Sequence, residues 1–275
     1  MNNLDFKTYE SVFDRCQTVN VEFATDVIER SEEQTRLLWP PFWNEGEITV
    51  LFAESNVGKS IVAMQVARDI ARGRSSISDF EAEPKEVVYF DFELSDKQFR
   101  DRYAGCKFPD KLLRGSQKED MQEFVTLENA MHDILHTIAN GAEVVIIDNI
   151  TYLSESLDQT AVLRLMKKLK AASRRYGASI MLISHCPKRP QNRILTKNDN
   201  AGSMYLINFA DSAFAIGRSY LEPELRYLKQ IKVRLGEFQF TEKNVLVGEF
   251  KRDEENMLSF SPLCAQSEYV HIENV

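Results

Sequence analysis

The sequence predicts an α/β fold in which a mostly parallel sheet carries helices on both faces and continues into an antiparallel C-terminal extension. Three observations lead to it. Apolar runs of strand length alternate with amphipathic stretches of helix length from residue 47 to residue 185, the order that builds a parallel sheet. Two of those runs, "AEVVIIDNI" and "ASIMLISH", are nearly continuous in apolar residues, as strands buried on both faces are. Beyond residue 210 the pattern shortens into "SAFAIGRS", "RYLKQIKVR", "EFQFTEK" and "MLSFSP", read as hairpin-connected strands that extend the sheet.

In chain order, residues 1–37 form an N-terminal arm of mixed short stretches, stopped by Pro40 and Pro41 in "LLWPPFW", which forbid a continuing helix. The main domain, 38–275, opens with the strand "EITVLFA" and the helix "GKSIVAMQVARDIARG", which closes on Gly73. "EVVYFDFEL" is the next strand. "SDKQFRDRYAG" is a helix opened by Ser95, and "LENAMHDILHTIAN" a helix ending before Gly141. "DQTAVLRLMKKLKAASRRYG" is a long amphipathic helix between the two buried strands.

A length of 275 residues suits one large domain with an appendage. No window approaches the roughly 18 apolar residues of a membrane span, and the acidic, apolar-poor start does not read as a secretion signal, so a cytoplasmic protein without a membrane partner is expected. Cys16, Cys106, Cys186 and Cys264 form no C-x-x-C pair, which argues against a zinc site or a disulfide framework. His132 and His136 stand four apart on a helix, but Asp133 occupies the place of a catalytic Glu and no third ligand follows. The net charge of −8 disfavours indiscriminate nucleic-acid coating and leaves only local basic segments to consider.

"AESNVGKS" is the segment richest in chemistry. A phosphate-binding loop follows a strand, opens a helix and turns its backbone N–H groups around a β-phosphate, with a Lys on the β/γ oxygens and a hydroxyl on Mg²⁺. Its eight positions here are Ala53, Glu54, Ser55, Asn56, Val57, Gly58, Lys59 and Ser60. Only Ala53 departs, standing where the motif has Gly, and the departure is harmless unless that residue needs a positive φ. "VVIIDN" ends a buried strand in Asp148, placed to order Mg²⁺ beside Ser60. In "FDFELS", Asp91 and Glu93 lie two apart on a strand expected next to the loop strand; Glu93, nearer the C-terminal edge, is assigned as the base that activates water. Asp91 is read as a buried partner of a Lys or as a solvent-facing residue. Ser184 and His185, ending "LISH", are candidates to sense the γ-phosphate.

Taken in order, "AESNVGKS", "FDFELS", "VVIIDN", "LISH" and "KVRLG" resemble the RecA-like P-loop ATPases, and among them the hexameric helicases of the DnaB and plasmid RepA type. The likeness covers roughly residues 38–250. It implies ATP and Mg²⁺ as ligands and a homo-oligomer, a six-membered ring, with the arm packed on a neighbouring subunit. It further implies that Lys232 and Arg234 reach the neighbour's γ-phosphate, where cations best stabilise the charge of the transferring group. Single-stranded DNA would pass the segment after "LISH", whose residues 188–203 hold four cations (Lys188, Arg189, Arg193, Lys197) against one anion, a local charge of +3. No sizeable accessory domain is visible, so a minimal motor is expected. A regulatory switch that gates assembly with a partner protein, and a nonmotor nucleotide-binding module, are the alternatives.

Overall fold

The computed structural model describes residues 18, 22–30, 36–118, 126–150, 159–200 and 204–273. Contacts divide the chain into two units, residues 1–36 and 37–275. In the first, the described residues hold one helix, α1 (Ala24–Arg30), with the side chains of residues 22–29 exposed. Most of the predicted arm lies outside the described residues.

The second unit opens with a small hairpin, β1 (Leu37–Trp39) and β2 (Trp43–Asn44), turning at the two prolines. Among the described residues its main sheet has nine strands, in the order β11-β10-β9-β8-β3-β7-β6-β4-β5. These are β3 (Ile48–Ala53), β4 (Val87–Asp91), β5 (Leu112–Ser116), β6 (Val144–Asp148), β7 (Ser179–His185), β8 (Ser212–Arg218), β9 (Leu225–Lys232), β10 (Val245–Arg252) and β11 (Leu258–Gln266). From β5 to β8 every pairing is parallel, and β9, β10 and β11 continue antiparallel.

The α-helices among the described residues of this unit are α2 (Lys59–Arg72), α3 (Asp96–Arg102), α4 (Leu127–Ala139), α5 (Gln159–Tyr176) and α6 (Met204–Phe209). The strand period of two divides the core. Ile48, Val50 and Phe52 of β3 pack with α4 and α5, and Leu51 and Ala53 pack with α2 on the other face. α2 is held under the C-terminal hairpin by polar contacts. Gln65 donates to the Phe260 carbonyl at 2.9 Å and accepts from its N–H at 2.7 Å, while Arg68 pairs with Asp253 and Arg72 with Glu255. Gly73 ends α2 at φ 73°, its N–H reaching the Asp69 and Ile70 carbonyls. Ser95 caps α3 in a reciprocal box with Gln98. Among the described residues no helix is long and apolar enough to cross a membrane.

Several expectations need correction. "SAFAIGRS" extends the sheet in an antiparallel hairpin with β9, as read, but on its other side β8 runs parallel to β3 and so belongs to the parallel part as well. "EFQFTEK" is no strand: Phe240 pairs its carbonyl with Gln230 N–H across a turn, and the returning strand is β10, which starts at Val245. The edge strand β5 is half-exposed and contains Gly115, so it lacked the apolar run by which strands are recognised. β4 is not next to β3, since β7 and β6 lie between them.

Candidate active site

Parallel strands bring their C-terminal ends to one edge, and the motifs meet there. The phosphate loop leaves β3 at Ala53, which is fully buried as the last residue of the strand. Positive φ falls instead on Asn56 (62°) and Gly58 (113°). Ala53 therefore occupies ordinary extended backbone, and the departure from the motif costs nothing in conformation. Gly58 cannot be replaced in the same way, because a Cβ there would stand 2.2 Å from Cζ of Phe250 on β10.

Lys59 opens α2 with its ammonium folded back on the loop, donating to the carbonyls of Ala53 at 3.1 Å and Glu54 at 2.9 Å. Burial lowers its pKa, and the carboxylates of Asp148, Glu93 and Glu54, with Cys186, act in the opposite direction. An open cleft of about 790 Å³ adjoins it, lined by Asn56, Gly58, Lys59, Ser60, Glu93 and His185, and also by Asp101, Arg102, Tyr103, Arg252 and Leu258. This volume is that of a small-molecule pocket of nucleotide size.

Asp148 ends β6 and is buried. Its Oδ2 accepts from Tyr89 at 2.5 Å, while Oδ1 is buried without a hydrogen-bond partner among the described residues. Burial pushes its carboxyl up to about 6; the hydroxyls of Tyr89 and Ser60 oppose the rise, and the charges of Glu93 and Asp91 add to it. A buried, unsatisfied carboxylate oxygen beside a loop hydroxyl fits a hydrated divalent cation, which would relieve both the desolvation and the missing partner.

Glu93 lies two residues beyond the end of β4, exposed at the cleft, so it projects from a loop rather than from the strand. Asp91, in register with Asp148, is buried and fully engaged. It accepts from the N–H groups of Glu93 at 3.2 Å and Leu94 at 2.9 Å and from Arg114 Nε at 3.1 Å. Its cationic partner is thus Arg114 of β5, a residue the sequence did not single out. Arg114 also donates to Asp96 at 2.5 Å and to the Leu94 carbonyl at 2.7 Å, riveting the segment that carries Glu93. Nothing local marks it, since its importance follows from the β4–β5 pairing.

His185, half-buried, reaches the cleft from the end of β7. The Asn149 side-chain nitrogen lies 2.6 Å from its Nε2; an amide N–H donated there leaves the ring proton on Nδ1. Burial and the positive charge of Lys59 lower its pKa, with Glu93 acting in the opposite direction, which favours the neutral ring. Ser184 is fully buried and donates to Asn200 Oδ1 at 2.8 Å, outside the cleft lining.

Lys232 and Arg234 are not brought to this cleft. Lys232 pairs in register with Ala213 at the start of β8, the opposite edge of the sheet. There its ammonium donates to the Ile207 and Asn208 carbonyls at the end of α6 (2.8 and 2.9 Å), and Arg234, half-exposed, stands 3.5 Å from Asp211. Of the basic segment, Arg189 pairs with Glu54 and Arg193 with Asp199, whereas Lys188 and Lys197 are exposed. His132 and His136 are exposed on α4, their rings stacked at 6.4 Å.

A family model described as an AAA domain matches residues 13–191, more than half of the chain. The chain belongs to the AAA domain family. With that family and this fold it is a RecA-like P-loop ATPase, for which a nucleotide and, typically, Mg²⁺ are the expected ligands. The fold is similar to the crystal structure of a KaiC-like protein from the hyperthermophilic archaeon Pyrococcus horikoshii OT3, with a TM-score of 0.56, 16% identity, and 84% of this chain and 99% of that one covered. No curated protein matches the sequence.

Proposed function

We propose that the protein hydrolyses ATP with Mg²⁺ between copies of itself and couples turnover to movement on single-stranded DNA, as a minimal RepA-like or DnaB-like helicase. The observation that carries the reading is the convergence of Lys59, Ser60, Glu93 and His185 on one cleft above Asp148. Lys59 leaves the loop carbonyls for the β- and γ-phosphate oxygens. Glu93 takes a proton from the water whose oxygen attacks the γ-phosphorus, as the bond to the β–γ bridging oxygen breaks and ADP leaves. Ser60 and Asp148 would hold Mg²⁺, which supplies charge neutralisation on the phosphates when bound. His185 answers to loss of the γ-phosphate.

The oligomer enters through Lys232 and Arg234. They stand at the edge of the sheet away from their own phosphate loop, so they serve a γ-phosphate only when another copy presents it. A closed ring, six-membered by the resemblance, satisfies that arrangement, with the arm of one subunit on the next. Lys188 and Lys197 are the cations open to a DNA backbone.

A second reading, a nucleotide switch that gates assembly with a protein partner, is favoured by the ion pairs that occupy Arg189 and Arg193. Steady-state ATPase turnover with Mg²⁺, with and without long single-stranded DNA at low and moderate salt, separates the two. Strong, salt-sensitive stimulation supports the motor. Slow turnover indifferent to DNA removes the motor and leaves the switch.

A further inference from the structure

The phosphate loop carries, on the side where the segment after β7 packs, an ion pair that phosphate binding does not itself require. Glu54, second residue of the loop, has a side chain 21% exposed, and its Oε1 stands 3.5 Å from Nε of Arg189, whose side chain is 6% exposed. The backbone N–H of Arg189 points at the same oxygen, at 3.4 Å. A carboxylate on a phosphate loop repels the polyanion the loop has to hold, and a guanidinium this close cancels that charge.

Arg189 does not end there. It donates to the Arg193 carbonyl and, at 3.4 Å, to the hydroxyl of Tyr227. Tyr227 donates to Glu268 at 3.1 Å, and Glu268, fully buried, accepts from the N–H of Leu195 at 2.7 Å and from Lys229 at 2.6 Å. Lys229 closes the circuit on the Leu195 carbonyl at 2.8 Å. Both ends of the 189–195 segment are therefore fixed, one to the phosphate loop and the other to a buried ion pair that cannot shift cheaply.

We propose that Arg189 is a positioning residue of the phosphate loop, and that its pair with Glu54 links nucleotide at the loop to the conformation of residues 186–195. The proposal rests on nucleotide binding by this loop and is indifferent to whether DNA or a protein is the partner. Phosphates arriving beside Glu54 compete for the guanidinium, and the segment it anchors responds. Arg189, read from sequence as a DNA contact, thereby becomes an internal strut that couples the two sites.

The test is a double-mutant cycle on the full chain, reading the Kd of Mg-ATP by calorimetry for wild type, Glu54→Gln, Arg189→Met and the double variant. Arg189→Met should weaken binding by about tenfold, a usual coupling for contacting charges, and by less than about twofold in the Glu54→Gln background. An equal loss in both backgrounds overturns the proposal, because Arg189 would then act through Tyr227 or the fold. Hydrogen exchange decides independently should Arg189→Met unfold. Mg-ATP should alter amide exchange at residues 186–195 of wild type, and Glu54→Gln should abolish that change; its persistence in the variant overturns the link. A wild-type chain that binds no nucleotide overturns the reading of the loop itself, which additive cycles would leave standing.

Discussion

Substitution of Gly58 by Ala adds one methyl group at the point where the phosphate loop turns into α2. Two costs follow from the structure. The residue holds φ 113°, a conformation that costs a residue with a Cβ about 1–3 kcal/mol. The new Cβ would also lie 2.2 and 2.4 Å from Cζ and Cε2 of Phe250, an overlap of the kind that costs about 1–3 kcal/mol when the surroundings yield only in part. Together they amount to about 2–6 kcal/mol. The loop can escape by moving off Phe250, but its N–H groups then lose their aim at the phosphates, so the penalty falls on binding rather than folding. The Kd for Mg-ATP should rise by at least about 30-fold, the equivalent of about 2 kcal/mol, while Tm moves by a few degrees only. Gly58→Ala combined with Phe250→Ala should recover part of the loss, the backbone strain remaining. Calorimetric titration of both variants and of Phe250→Ala alone measures this. Affinity within about threefold of wild type for Gly58→Ala, a change of only about 0.7 kcal/mol, would show that neither the positive φ nor the Phe250 contact constrains the loop.

The reverse change at the other anomalous position should do little. Ala53→Gly completes the motif, yet Ala53 sits in buried extended backbone, so thermal melts should show about 0.5–1 kcal/mol of lost stability with no gain in ATP affinity. Glu93→Gln should keep the Kd and lower kcat by about 10²–10⁴; near-normal kcat in single-turnover assays would move the base elsewhere, and not to Asp91, which is buried under Arg114. Arg114→Met should cost about 1–3 kcal/mol in denaturant melts, allowing for its partial exposure, and lower kcat with Kd unchanged, since it holds the segment bearing Glu93 without lining the cleft. An unchanged kcat would deny it that role. In mixtures with wild type, Arg234→Ala subunits should depress ATPase activity more than in proportion to their fraction; a linear doping curve would show that no neighbour depends on this residue.

Elements whose cause is local were legible before any tertiary contact was known. An aliphatic run of strand length, rich in Val and Ile, reads as a buried strand, a Gly at the end of an amphipathic stretch stops a helix, and the phosphate loop is a contiguous backbone device. Thus β3, α2, β6, α5 and β7, the loop from Ala53 to Ser60, and Asp148 at a strand end were all legible from adjacent residues. Whatever depends on which strands are neighbours emerges only once the chain has folded. The half-exposed β5 carries no apolar signature, so Arg114 could not be linked to Asp91 before β4 and β5 paired. β8 was legible as a hairpin strand, since it pairs antiparallel with β9, but its parallel alignment with β3 is a property of the connection, not of the residues. The basic segment read as +3 because counting charges ignores partners: Glu54 lies 135 residues from Arg189 and is made its neighbour by the parallel alignment of β3 with β7. Charge and periodicity are written along the chain, whereas pairing is written across it.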